Sequence, residues 1–234
     1  MSHDHTTAEA FGRLAVELHD VESVEETVEA VVQFALHAVP CTSASIVMIE
    51  RRRPEVVAVT DTRLTDLYQR QIAGGHGPMI TAIAEGEAVS ITDVASETRW
   101  SPEWAAEVLA TGIRSALHLP LTVSGRPAAV LSLYGEVAGG FGVDEVAIAH
   151  ILARHATVAI ATARREANLN RAVDARKLVG QAMGILMERY DLDSDRAFEV
   201  LRRYSQDTNR KLRDVAQELI DTRKLPGAGQ DRPV

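Results

Sequence analysis

The chain has 234 residues, 46% of them apolar, and a formal net charge of −8, which suits one large globular domain or two small ones. No run of about 18 apolar residues is present, and the Met-Ser-His-Asp-His start lacks a basic region followed by an apolar one, so neither a membrane span nor a secretory signal is expected. A single cysteine, Cys41, excludes an internal disulfide framework and suits a reducing cytosol.

In chain order, residues 1–6 are polar and read as a disordered tail. Residues 8–19 and Val24 to Val39 carry amphipathic helical patterns. The pattern then changes. Thr42 to Arg51 and Val56 to Thr60 alternate apolar and polar residues around Arg51-Arg52-Arg53-Pro54, a hairpin whose arginine tip reads as solvated. Leu64 to Ile72 is helical, and Gly74-Gly-His-Gly-Pro78 is a loop opening a short helix from Met79 to Ala84. Glu87 to Thr92 reads as a strand and Pro102 to Thr111 as a helix. Ser115 to Val123 and Ala128 to Gly135 are two further strands joined at Ser124-Gly125. Trp100 and Trp104, at helical spacing, are expected to cover the sheet or a pocket. The lone Cys41 reads as a core or edge residue rather than a redox sensor.

From Val143 to Val179 no Gly or Pro interrupts a helical stretch of roughly 35 residues. Ile148, Ile151, His155, Val158 and Thr162 recur there at steps of three and four, with Leu169 and Ala172 continuing the row past an interruption at Arg165, approximating a heptad seam. The seam predicts a dimer, against the plainer reading of a helix packed on its own sheet. Three short amphipathic stripes close the chain. Leu178, Val179, Ala182, Ile185 and Leu186 form the first. Ala197, Phe198, Leu201, Tyr204 and Ser205 follow an Asp191–Ser194 stretch of N-cap residues, and Leu212, Val215, Ala216, Leu219 and Ile220 form the third. None buries its stripe alone; packed together they make a small three-helix core.

Charge is distributed unevenly. From Asn168 onward there are 13 Lys and Arg against 11 Asp and Glu, while the preceding residues carry 12 against 22. All three lysines lie in the C-terminal part. A surplus of only two positive charges does not make a nucleic-acid binder by bulk charge. Local clustering is more informative: Arg202, Arg203, Arg210, Lys211 and Arg213 flank the second connection, with Ser205 and Asn209 among them. Such groups neutralise phosphates and bond loop bases. They equally describe a charge-balanced solvated face with Asn209 as a helix cap. Gly180, Gln181, Ala182 and Gly184 thin the preceding helix, for close helix packing or for approach of a ligand, with Gln181 and Met183 exposed to it.

The string Gln181-Ala-Met-Gly-Ile-Leu-Met187, followed by Ala197-Phe-x-x-Leu-Arg202 and Ser205-x-x-x-Asn209-x-Lys-Leu-x-Asp-Val-Ala216, resembles an ANTAR domain, the RNA-binding module of transcription antitermination regulators. Many members carry Lys where this chain has Met183. Upstream, Gly77-Pro78, Gly86-x-x-Val89-x-Ile91-x-Asp93, Ser115-x-x-x-Leu119-Pro-Leu121, Gly125-x-Pro-x-x-Val130-Leu and Phe141 resemble a GAF domain. The resemblances imply an α+β chain: a tail and helix over 1–19, a GAF-type antiparallel sheet with helices over 20–165, a long coiled-coil-like linker helix, a three-helix ANTAR domain over 166–225, and a disordered tail over 226–234. They also imply a cytoplasmic homodimer that binds hairpins in a nascent transcript through Gln181, Met183, Gly184, Arg202, Arg203, Ser205, Asn209, Arg210, Lys211 and Arg213. The GAF domain is expected to serve as a sensor or as a dimerisation module; for a small-molecule ligand of unknown identity His76 and His118 are the candidate contacts, against the plainer reading of histidines without function.

No phosphate-binding glycine loop, nucleophile elbow or paired-histidine zinc pattern is present, so no catalysis, cofactor, metal or membrane partner is expected. His3 and His5 lack a third ligand close in sequence. Two rival readings remain. A DNA-binding helix-turn-helix regulator would bring Asp214, Glu218 and Asp221 against phosphates. A signalling adaptor would bind no nucleic acid at all.

Overall fold

The structure is a computed structural model, and it describes residues 23–51 and 53–224. The helix expected over 8–19, both expected tails, and His3 and His5 lie outside the described residues. The chain divides into two compact units at Arg164/Arg165.

Helix α1, Val24–Ala38, begins at Ser23, whose Oγ accepts the Glu26 N–H at 3.1 Å. It buries Val28, Val31, Val32 and Ala35, spaced as one helical face. Strands β1, Ser43–Glu50, and β2, Arg53–Val59, form the expected hairpin, turned at Arg51 with φ +49°. Helices α2, Thr65–Gly74, and α3, Pro78–Glu85, lead to β3, Val89–Ile91, and then α4, Pro102–Ala110. Strands β4, Ser115–Val123, and β5, Arg126–Gly135, make the second hairpin. The long helix α5 spans Val143–Tyr190, followed by α6, Ser194–Asp207, and α7, Leu212–Thr222.

The first unit is an α+β structure built on one antiparallel sheet ordered β2-β1-β5-β4-β3. Alternate residues go to opposite faces. Ala44, Ile46, Leu119, Leu131 and Leu133 pack under α1 and the first turns of α5. Val47, Ala116, Val130 and Tyr134 pack under α2, α3 and α4. The alternation in Thr42–Arg51 predicts one wet face, but Ser43 through Met48 are all buried. The physical reason is that helices cover both faces of this sheet, so its small polar residues, Ser43 and Ser45, are interior as well. Trp100 and Trp104 do cover the second face, with ring centroids 5.5 Å apart, although Trp100 precedes α4 rather than sharing it.

Helix α5 is longer than expected. The pattern predicts about 35 residues and a separate first C-terminal helix; instead one helix of 48 residues runs through Gly180 and Gly184 to Tyr190. Two glycines cost roughly 1 kcal/mol each in a helix interior, too little to break a helix held at Ala182 and Leu186 by packing. Scattered alanines and isoleucines also give one 18-residue window a mean hydropathy of 1.4, enough by length and composition to cross a membrane. In the first unit α5 buries Ala149, Leu152, Ala153, Ala156 and Ile160 against the sheet.

The second unit is a three-helix arrangement of the end of α5 with α6 and α7. Its core is Ala182, Leu186, Ala197, Leu201, Val215, Ala216 and Leu219. Phe198, expected in the stripe of α6, is instead an exposed side chain. It lies one position past Ala197, about 100° further round the helix.

Candidate nucleic-acid interface

The α6–α7 connection is built by a short backbone motif. Helix α6 ends at Thr208, and Asn209 takes the left-handed conformation at φ +52°. The Arg210 N–H donates to the Ser205 carbonyl at 3.0 Å, and the Asn209 N–H to the Gln206 carbonyl at 3.2 Å. This pair of bonds is the Schellman arrangement, in which Asn is tolerated next best after Gly. The Ser205 hydroxyl donates to the Arg210 carbonyl at 2.6 Å, tying the same turn from the side-chain level. Lys211 then starts α7 with extended backbone and no side-chain cap. Asn209 therefore terminates α6 by its backbone and leaves its side chain exposed; it does not cap α7.

Around this turn Arg202, Arg203, Arg210, Lys211 and Arg213 are all exposed. Each arginine holds a carboxylate. Arg202 meets Glu199 at 3.1 Å, Arg203 meets Asp207 at 3.7 Å, Arg213 meets Asp214 at 3.2 Å, and Arg210 meets Glu218. These partners are what sequence reasoning missed. Three of them sat at readable spacings: Glu199 and Asp207 at helical steps, Asp214 as the next residue. Glu218 is reached only across the turn. Exposed pairs of this kind contribute about 0–1 kcal/mol, so a phosphate can replace the carboxylate with little loss. Lys211 makes no ion pair among the described residues.

On α5, Gln181 and Gly184 are exposed while Met183 is half-buried against the three-helix core. A Cβ added at Gly180 or Gly184 meets nothing within 4 Å. Close packing among the described residues therefore does not account for these glycines, and the helix surface there is open to approach. Along the same helix Ile151, Val158 and Leu169 are 45%, 68% and 57% exposed. His155 and Thr162 are exposed and Ile148 is half-buried. In the first unit Ile151, His155, Val158 and Thr162 lie on a different side of the helix from Leu152, Ala156 and Ile160, while Ile148 packs against the same core.

The second face of the sheet holds a different constellation. His118 is 1% exposed and its Nδ1 lies 2.8 Å from Ser132 Oγ. The His118 ring meets Tyr134 edge-on at 5.6 Å. Tyr134 and Tyr68 share a hydroxyl–hydroxyl bond of 2.6 Å, and Tyr68 in turn bonds Ser45. Burial pushes the His118 pKa down to about 3, so its imidazole is neutral. Burial likewise raises the Tyr68 and Tyr134 hydroxyls above their usual range. Among the described residues, His118 Nε2, Gln71 Nε2 and Trp104 Nε1 are buried without a hydrogen-bond partner. His76, the other candidate contact, is exposed. Cys41 is half-buried, its thiol pushed up to about 11 by burial, as suits an unreactive residue. Among the described residues no group of three or more His, Cys, Asp or Glu side chains could hold a metal ion.

Comparison with known proteins places these two constellations in two family matches. A GAF domain model matches residues 21–161, and an ANTAR domain model matches residues 167–220. No curated protein matches the sequence. Among solved structures, the chain is similar to a domain assigned to a two-component sensor histidine kinase protein of Sinorhizobium meliloti 1021, with 25% identity, TM-score 0.54, and coverage of 64% of this chain and 99% of that one. It is also similar in fold to the GAF domain of an Acinetobacter phosphoenolpyruvate-protein phosphotransferase, with 14% identity, TM-score 0.54, and coverage of 70% and 98%. A phytochrome photosensory core module of Stigmatella aurantiaca matches at 13% identity and TM-score 0.58, covering 86% of this chain and 44% of that one.

Proposed function

This chain belongs to the GAF domain family and carries a C-terminal ANTAR domain, and on that basis we propose that it promotes transcription antitermination by binding hairpins in a nascent leader RNA. ANTAR is an RNA-binding antitermination domain, GAF is a sensor domain, and both are regulatory rather than catalytic. The observation that carries the finer reading is the α6–α7 turn. It presents Arg202, Arg203, Arg210, Lys211 and Arg213 to solvent beside Ser205 and the exposed side chain of Asn209. Cations supply phosphate neutralisation, and short polar groups reach the edges of unstacked loop bases. Gln181, Met183 and Gly184 extend the contact along the glycine-thinned part of α5. No covalent step is needed; the bound chain holds the hairpins and thereby keeps the transcript out of its terminator.

The protein acts in the cytoplasm as a homodimer. The support is the row Ile148, Ile151, His155, Val158, Thr162 and Leu169, in which the apolar side chains of Ile151, Val158 and Leu169 are 45%, 68% and 57% exposed among the described residues. The GAF domain, 20–165 in this assignment, senses a small molecule. The buried polar face around His118 supports that role better than the exposed His76 does. The ANTAR domain occupies 166–225.

Mobility shift with a two-hairpin RNA, its loop mutant and duplex DNA tests the reading. Retardation of the hairpin RNA alone, with two chains per RNA, is the expected result. Equal binding to the loop mutant would remove loop recognition, and preferential binding to duplex DNA would favour a DNA regulator. Arg202→Ala combined with Lys211→Ala should weaken RNA binding about tenfold or more while leaving the urea midpoint nearly unchanged.

A further inference from the structure

The first unit is acidic overall, and its arginines are mostly spoken for. Arg63, Arg70, Arg99, Arg114 and Arg164 each hold a carboxylate at 2.6–3.1 Å. Arg154, on α5, is one exception, and Arg51, Arg53 and Arg126 are the others. All four are exposed, and none makes an ion pair among the described residues.

The sheet brings Arg51, Arg53 and Arg126 to one edge. Arg51 and Arg53 sit at the β1–β2 turn, where Glu50 pairs with Arg53 in the ladder. Arg126 sits at the β4–β5 turn, opposite Val123. Strands β1 and β5 are neighbours whose ladder closes at Met48 opposite Ala129. Arg51 and Arg126 each lie three residues beyond that last pair, so the two tips leave the sheet side by side. Arg164 confirms the proximity from α5. Its guanidinium donates to the Ile49 and Ala128 carbonyls at 3.4 and 3.5 Å, bridging both strands just behind the tips, and meets Glu50 at 3.1 Å.

Two hairpins thus present guanidinium groups together at one end of an otherwise acidic unit. The sequence adds Arg52 between Arg51 and Arg53. Glu50, already held by Arg164, and Glu55 are the acidic side chains at this edge. Like charges gathered without partners repel one another, so the arrangement gains stability when an external polyanion arrives. Planar guanidinium forks on protruding turns match phosphate oxygens bidentately.

We propose that this double-hairpin tip is a second RNA surface on the GAF unit, taking the phosphate backbone of a stem through Arg51, Arg53 and Arg126. The inference rests on the RNA-binding reading above. The surface contributes affinity without sequence preference, because guanidinium groups that meet phosphates carry no base information. A stem-contacting edge on the sensor also makes RNA affinity depend on how the sensor is held, without any residue of the α6–α7 turn changing.

The test uses the full chain with Arg51→Gln, Arg53→Gln and Arg126→Gln together. The affinity for the two-hairpin RNA is measured across salt concentrations. Each lost phosphate contact lowers the slope of log affinity against log salt by roughly 0.7–0.9, so a drop of about 2 is expected, with about tenfold weaker binding near physiological salt. Discrimination between the hairpin and its loop mutant should be unchanged. The corresponding triple Arg→Lys variant, which keeps the charge and controls for folding, should restore most of the slope. A slope and affinity equal to the parent's would overturn this surface while leaving the RNA-binding reading intact. A parent chain that does not bind the hairpin RNA at all would overturn both.

Discussion

In the first unit Ser45, Tyr68, His118, Ser132 and Tyr134 bond one another inside the molecule, while in the second Arg202, Arg203, Arg210 and Arg213 hold their carboxylates at the surface. A sheet covered on both faces has interior to spare, and polar groups placed there must find partners or remain orphaned. The end of one helix packed with two short ones has little interior, so its polar groups stay wet and exchangeable. The contrast teaches where each unit would meet a ligand. Among the described residues the sensor keeps buried polar nitrogens without partners, and the three-helix unit keeps exposed pairs that a phosphate can open.

The largest expected effect exploits the difference in core size. Leu201→Ala and Leu131→Ala remove equivalent, fully buried side chains, each costing roughly 2–5 kcal/mol. Stability runs at roughly 0.05–0.15 kcal/mol per residue, so a unit of about 70 residues loses most of its stability and one of about 160 does not. Circular dichroism and urea unfolding should show Leu201→Ala without a folded three-helix unit and Leu131→Ala still folded. Equal damage from both would break the comparison.

A smaller effect comes from His118. Its folded-state value of about 3 lies below the unfolded value near 6.5. Between these values the unfolded chain binds the extra proton, so stability is complete above about pH 6.5 and falls as the pH drops towards 3. The slope attributable to this residue is on the order of 1 kcal/mol per pH unit. Urea midpoints measured between pH 7 and pH 4.5 should therefore decline less steeply for His118→Gln than for the parent. Identical slopes would mean the imidazole is not held neutral.

The smallest effect separates backbone from side chain at Asn209. Glycine accepts the φ of +52° at no steric cost, whereas alanine there costs about 1 kcal/mol. Asn209→Gly should keep the thermal midpoint and Asn209→Ala should lower it. Both should weaken hairpin RNA binding, because both lack the amide. If Asn209→Gly binds RNA as the parent does, the residue serves only the turn.

Much of this was readable from local pattern. Strand β4 runs over Ser115–Val123 as its composition predicts, with the reversal at Ser124-Gly125. The hairpin at Arg51, helix α1 and the three C-terminal stripes also follow from periodicities within a few residues. Positions that depend on distant neighbours were not readable. The alternation in β1 does not say that a second layer of helices covers its serines. Gly180 looks like a break until the packing of Ala182 and Leu186 holds the helix through it. Glu218 is eight residues from Arg210 and reaches it only because the α6–α7 turn folds back.

The sequence by itself determined the two family resemblances, the order and type of most elements, and the set of charged and polar residues at the C-terminal turn. These depend on dihedral preferences and hydrophobic periods, which act over one or two turns of chain. Only the tertiary structure decided that His118 is neutral and half-satisfied against Ser132, fourteen residues away. It alone decided that Tyr68 meets Tyr134 across 66 residues, and that Arg51 and Arg126 leave one edge together. Burial and strand register set those facts, and both arise from how distant segments pack, which local preference does not encode.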